Sequence, residues 1–224
     1  ERNGLVADEI FAGKNCLDAG CGNGRGSFFM LRHGAASVEA VDLSKNNISS
    51  TRKFAEQLGY ADHINVTQCS LEEIPFSDGK FDFVWCNGVI MHTKNPNACL
   101  SEFSRVLKPG GAGWLYVYGS GGLYWKIMQR FRDLLSDVNL LHAIQYLKTF
   151  RYSPRYIGEF IDDWYAAHLR TYTHFDLATR LTEIGFEQPK KLVFGMDYDT
   201  SQRRELAEDD LQRELTGEGD LRYL

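Results

Sequence analysis

Four glycines fall within CLDAGCGNGRGS, residues 16–27, and Asp18 stands two residues ahead of the first of them. Gly20, Gly22 and Gly24 carry no side chain and permit positive φ, so main-chain amides there can come within contact distance of a ligand. The apolar run before them reads as a short buried strand over residues 15–19, and Phe28, Phe29 and Leu31 beyond them read as a helix. A glycine turn between a strand and a helix is where an extended cofactor meets an open α/β sheet. Asp42, about twenty residues past the turn, closes a second strand over residues 37–42 and can accept from both hydroxyls of a ribose.

Two classes of ligand use such a turn. A dinucleotide sets its pyrophosphate on the helix N-terminus. Asp18 would oppose that charge, and Arg25 stands where the third glycine of the dinucleotide fingerprint belongs. A ligand with a cationic centre and an amino group is instead welcomed by a carboxylate.

LDAGCGNG resembles motif I of the class I S-adenosylmethionine-dependent methyltransferases, in the type 11 series shared with quinone-biosynthesis enzymes. The likeness continues in order through VEAVDLS (38–44), LEEIPFSDGKFDFVWCNGVIMHT (71–93) and LSEFSRVLKPGG (100–111). It implies S-adenosyl-L-methionine as cofactor, with Asp18 and the backbone of Gly20, Cys21, Gly22, Asn23 and Gly24 against the methionine moiety. Asp42 would hold the ribose and Leu43 would lie on the adenine. The family commonly has an aspartate after the third strand; this chain has Ser70 there, so adenine recognition leans on a neutral hydrogen bond, Leu71 and the backbone. Asn87 and Gly88 would shape the floor beneath the methionine moiety.

Methyl transfer from a sulfonium is an in-line displacement whose main requirement is positioning. An acceptor that carries a proton benefits from a base, and His92, after the fourth strand, is the candidate catalytic residue. The competing reading of His92 is a hydrogen bond that shapes its loop. The elements behind these residues alternate: strands near 64–69, 81–87 and 112–119, a helix capped by Asn95 and Pro96, then a helix over 174–185. A further extended piece at 190–196, a charged helix near 203–215 and a short strand at 221–224 complete the reading. This predicts an α/β, Rossmann-like fold: a seven-stranded, mostly parallel sheet with helices on both faces.

Residues 120–172 break the rhythm with helical patterns alone. We expect a cofactor-binding core at 1–119, a helical insertion closing over the acceptor as a lid at 120–172, and completion of the sheet at 173–224. Leaving the fifth strand at the ligand edge, the insertion supplies candidate acceptor contacts: Tyr118, Tyr124, Trp125, Asp163, Trp164, Tyr165, His168 and Tyr172. Aromatic residues can wall a pocket and Asp162 with Asp163 can receive an amine, although aromatics at helical spacing also pack one helix to another.

Composition narrows the partners. The 224 residues carry 25 Lys and Arg against 30 Asp and Glu, a net charge of -5, with no dense basic run to track a nucleic acid. Five cysteines without a C-x-x-C pair point to reduced thiols and give a metal site no support. No apolar run spans a membrane and no signal pattern opens the chain, so a cytoplasmic location without a membrane partner is expected. The function expected is methyl transfer to oxygen or nitrogen of a small-molecule acceptor. The alternatives are a quinone-type C-methyltransferase and a cofactor-binding subunit that does not turn over.

Overall fold

The computed structural model describes residues 5–187, 189–192 and 220–224. Six strands form one sheet in the order β3-β2-β1-β4-β5-β6. β1 (Asn15–Ala19), β2 (Ser37–Asp42), β3 (Ile64–Gln68), β4 (Phe81–Asn87) and β5 (Leu107–Tyr118) run parallel, and β6 (Asp220–Tyr223) pairs antiparallel with β5. The seven strands expected are six among the described residues. Residues 190–192 lie hydrogen-bonded along the outer edge of β6, through Leu192 N to Arg222 O at 2.9 Å and Lys190 N to Leu224 O at 3.1 Å. The rest of the extended piece at 190–196, from residue 193, and the charged helix near 203–215 lie outside the described residues.

β4 shows why the sheet has two covered faces. Phe83 and Trp85 point into one apolar cluster and Phe81, Val84 and Cys86 into the other, and all five are almost wholly buried. On the first face α1 (Ala7–Phe11), α2 (Arg25–Arg32) and α3 (Lys45–Leu58) supply Phe11, Met30, Ile48 and Ala55. On the second, α4 (Pro96–Val106) and α8 (His174–Glu183) supply Leu100, Phe103, Leu177 and Leu181.

Local chemistry ends each element where the residue types require. Ser44 caps α3 by accepting from Asn47 N, and Gly59 closes it in the left-handed region at φ 76. Asn95 caps α4 by accepting from Ala98 N, with Pro96 in the first turn. KPGG, which precedes the strand expected near 112–119, lies at the start of β5, where the register against β4 shifts between Phe81 and Phe83 and Gly110 sits at φ 76.

Between β5 and α8 come three helices, α5 (Gly122–Leu135), α6 (Leu140–Thr149) and α7 (Pro154–Trp164). The chain then returns to the tip of β5: Tyr172 N donates to Tyr118 O at 2.9 Å and Ser120 N donates to Tyr172 O at 2.7 Å. Among the described residues, no helix is long and apolar enough to cross a membrane, no group of three His, Cys, Asp or Glu is arranged to hold a metal, and the five cysteines are free.

Candidate functional site

β1 and β4 are neighbours, yet the chain leaves β1 toward β2 and leaves β4 toward β5, so a crevice opens where the connections diverge. The glycine turn lies on its rim. Gly20, Gly22 and Gly24 take φ of 84, 56 and 85, a region closed to most side chains. Two of the three are also demanded by the protein's own packing. A Cβ on Gly20 would lie 2.5 Å from a Val89 methyl, and one on Gly24 2.7 Å from the Phe28 ring. At Gly22 the same position meets nothing within 4 Å among the described residues. The bare surface inferred from the sequence is therefore concentrated at Gly22.

That residue is held on both sides of its Cα. Its N–H donates to Asp42 Oδ2 at 2.9 Å, and its carbonyl accepts from Thr51 Oγ1, also at 2.9 Å. Asp42 Oδ1 accepts from Ser44 N at 2.8 Å and from Asn47 Nδ2 at 3.1 Å. The carboxylate thus joins the β1 turn to the start of α3, with one lone pair of Oδ2 still to direct outward. Thr51 and Asn47 were not singled out from the sequence. Thr51 lies on the apolar stripe of α3 between Ile48 and Ala55 and is fully buried. A hydroxyl in such a stripe must find an acceptor, and that is the signal by which it was findable.

Asp18 is enclosed rather than open to the crevice. It is 2% exposed, and its Oδ2 accepts from Ser27 Oγ at 2.6 Å beneath the first turn of α2. Burial raises its carboxyl to about 6 against the pull of the Ser27 hydrogen bonds, with a smaller push from the charge of Asp42. A Cβ on Gly26 would sit 2.8 Å from Trp85 Nε1 and 3.0 Å from this oxygen, so α2 presses directly on the acid. Asp18 holds the turn in place from below.

The other expected cofactor contacts divide into open and closed. Asn23 is exposed and Leu43 is 71% exposed, a large apolar side chain laid bare beside Asp42. Ser70 Oγ accepts from Glu72 N at 3.2 Å, shaping its own turn. Cys21 and Leu71 are each 6% exposed and face the core, so their side chains do not line the crevice. Asn87 Oδ1 accepts from Trp114 Nε1 at 2.9 Å, and Gly88, at φ 77, donates its N–H to Tyr116 O at 3.0 Å.

Across the crevice, His92 Nδ1 lies 3.1 Å from His168 O. A carbonyl only accepts, so this contact requires the proton on Nδ1 and leaves the lone pair on Nε2. The His92 ring meets Tyr118 edge-on at 5.8 Å, and Tyr118 leans on Trp125 at 5.1 Å. Burial raises the carboxyls of Asp162 and Asp163, and nearby His92 pulls both back. The hydroxyls of Tyr165 and Tyr172 are buried without a hydrogen-bond partner among the described residues. Trp164 and Tyr165 pack within the helical segment, Trp164 edge-on to Phe131 at 5.1 Å and Tyr165 by Phe160 at 5.9 Å. Tyr124 is half exposed beside Trp125. The acceptor residues expected from the sequence therefore split: Tyr118 and the His168 carbonyl meet His92, with Trp125 behind Tyr118 and Asp163 within reach of the His92 charge, while Trp164 joins α7 to α5 and Tyr165 packs on Phe160 of its own helix.

Residues 17–115 match the family model described as a methyltransferase domain. This is a class I methyltransferase domain. The domain is 34% identical over 100 residues to sarcosine/dimethylglycine N-methyltransferase of Aphanothece halophytica, covering 45% of this chain and 36% of that protein. It is 35% identical over 103 residues to phosphoethanolamine N-methyltransferase 3 of Arabidopsis thaliana, covering 46% and 21%. The chain therefore spans about a third or less of the length of these relatives. In architecture it is similar to the YcgJ protein of Bacillus subtilis, with TM-score 0.59 and 18% identity over 83% of this chain and 68% of that one. The methyltransferase domain carries the glycine turn, Asp42 and His92, and the match ends before α5.

Proposed function

We propose that this protein transfers a methyl group from S-adenosylmethionine to the nitrogen of a small amine acceptor. The observation that carries the cofactor reading is the Gly22 peptide, fixed by Asp42 and Thr51 with open space where its side chain would be. The residues present fit the group: the open Gly22 accommodates the methionine moiety, Oδ2 of Asp42 accepts from the ribose, and exposed Leu43 covers the adenine. When bound, the cofactor supplies an electrophilic methyl on a sulfonium whose thioether is a ready leaving group.

Each side chain then has a task in orientation or proton handling. Asp18 and Ser27 fix the turn, so no reorganisation is needed when ligand arrives. Nitrogen is favoured over oxygen because Asp162 and Asp163 lie beside His92 and attract an ammonium, and relatives named for N-methylation share the domain. Only the neutral amine has a lone pair to offer, and Nε2 of His92 is the atom placed to take the ammonium proton. The helices of residues 120–172 act as the lid that excludes water.

The reading is tested with isotopically labelled S-adenosylmethionine against matched panels of primary and secondary amines, alcohols and phenols. Label passing to amines and not to hydroxyls is expected; transfer to hydroxyls alone overturns the choice of nitrogen. Calorimetry with S-adenosylhomocysteine checks the cofactor separately, and a flat titration ends the methyltransferase reading.

A further inference from the structure

Eleven of the fifteen large hydrophobic side chains exposed among the described residues fall between Leu123 and Tyr156. On α5, Leu123, Ile127, Phe131 and Leu134 recur at helical spacing, 45 to 74% exposed, and line one open groove with Lys126 and Arg130. A contiguous apolar face of this kind on a folded protein marks an interaction surface.

Charge identifies what it meets. Residues 120–156 contain six basic residues (Lys126, Arg130, Arg132, Lys148, Arg151 and Arg155) and two acidic ones (Asp133 and Asp137), a net +4. The whole chain is -5, so everything outside this segment sums to -9. A basic, apolar-faced helical segment on an otherwise acidic protein is complementary to an anionic lipid surface: acyl chains receive Leu and Phe while Lys and Arg stay among the headgroups. The acidic remainder is repelled by such a surface, so only this face can approach it. At 14 residues, α5 is too short to cross a bilayer and long enough to lie in its interface.

We propose that α5 docks this protein peripherally on membranes rich in anionic lipid. The proposal departs from the expectation of no membrane partner and stands independently of the acceptor's identity.

Co-sedimentation with phosphatidylcholine vesicles, with and without phosphatidylglycerol, tests it. The protein is expected to pellet with the anionic vesicles only, and less so as salt is raised. Leu134→Glu should weaken binding about tenfold by removing an exposed leucine that enters the acyl region on docking, and the pair Lys126→Glu with Arg130→Glu should abolish it. These positions are exposed, and an unchanged thermal melt for each variant verifies the fold. Equal pelleting with both vesicle types, or none with either, overturns the proposal. So does a concentration-dependent dimer in vesicle-free buffer that Leu134→Glu dissolves, because a second copy then covers the face.

Discussion

The turn after β1 and the helices after β5 are built in opposite ways. Around the turn, donors and acceptors are paired: Gly22 with Asp42 and Thr51, Asp42 with Ser44 and Asn47, Asp18 with Ser27. In the helical segment, ring contacts such as Phe131 with Trp164 do the joining, two tyrosine hydroxyls lack partners among the described residues, and large apolar side chains face outward. The first arrangement tolerates one ligand geometry. The second leaves its contacts to be completed by whatever it meets.

The sharpest way to break this contrast is at Gly20, where a methyl group would both strike Val89 and hold a positive φ. Gly20→Ala is expected to lower unfolding free energy by about 4 kcal/mol, the sum of overpacking and backbone strain, measured by urea denaturation. Gly22→Ala has only the strain, so it should lose far less stability yet still lose affinity for S-adenosylhomocysteine. Equal destabilisation by both would mean that the open position at Gly22 is not special.

Asp18 gives the next largest effect. Its folded carboxyl is raised to about 6 from an ordinary 3.8, so folding favours the protonated form. The stability this contributes is complete below the unfolded value and is lost as pH rises through about 6. Relative to Asp18→Asn, the wild type should therefore lose up to about 3 kcal/mol between roughly pH 4 and pH 7. Parallel stability profiles for the two proteins would remove Asp18 from the account of the turn.

Asp42→Ala follows. Losing an acceptor shared by Gly22, Ser44 and Asn47 should weaken S-adenosylhomocysteine binding by about 2 kcal/mol, roughly thirtyfold. An affinity within twofold of wild type in calorimetry contradicts the ribose assignment. Smallest of all, Trp164→Ala should change cofactor affinity by less than about twofold, since its partners are Phe131 and Phe160. Hydrogen exchange in α5 and α7 should nonetheless rise. A large loss of cofactor affinity here would show that the two regions are coupled after all.

The same contrast governs how far the sequence could be read. Ser44, Gly59, Asn95 and Pro96 announce helix ends through their own chemistry, and the parallel sheet follows from the alternation they punctuate. Gly20 and Gly24 stood out for the right conformational reason, but their crowding partners, Val89 and Phe28 with Thr51, come from folding and leave no mark near the turn. Leu71 and Cys21 belong to a motif whose backbone lines the crevice; their inward orientation depends on the pleat of the finished core. In the helical segment, one-dimensional spacing cannot tell an aromatic that packs on a neighbouring helix from one that meets the sheet, and Trp164, against Phe131, and Trp125, against Tyr118, divide on that point. α1 passed unread because five residues give too short a period, although Phe11 sits fully buried against Phe83.

Tyr172 closes the excursion begun at Ser120 by hydrogen bonds to the residues it set out from. Fifty-odd residues thus begin and finish at a single spot on the sheet, and joining those ends by a different stretch of chain would leave every strand where it is. Under the proposed function, the acceptor would then be exchanged by grafting a new stretch at that spot, with the sheet and its glycine turn carried along unaltered.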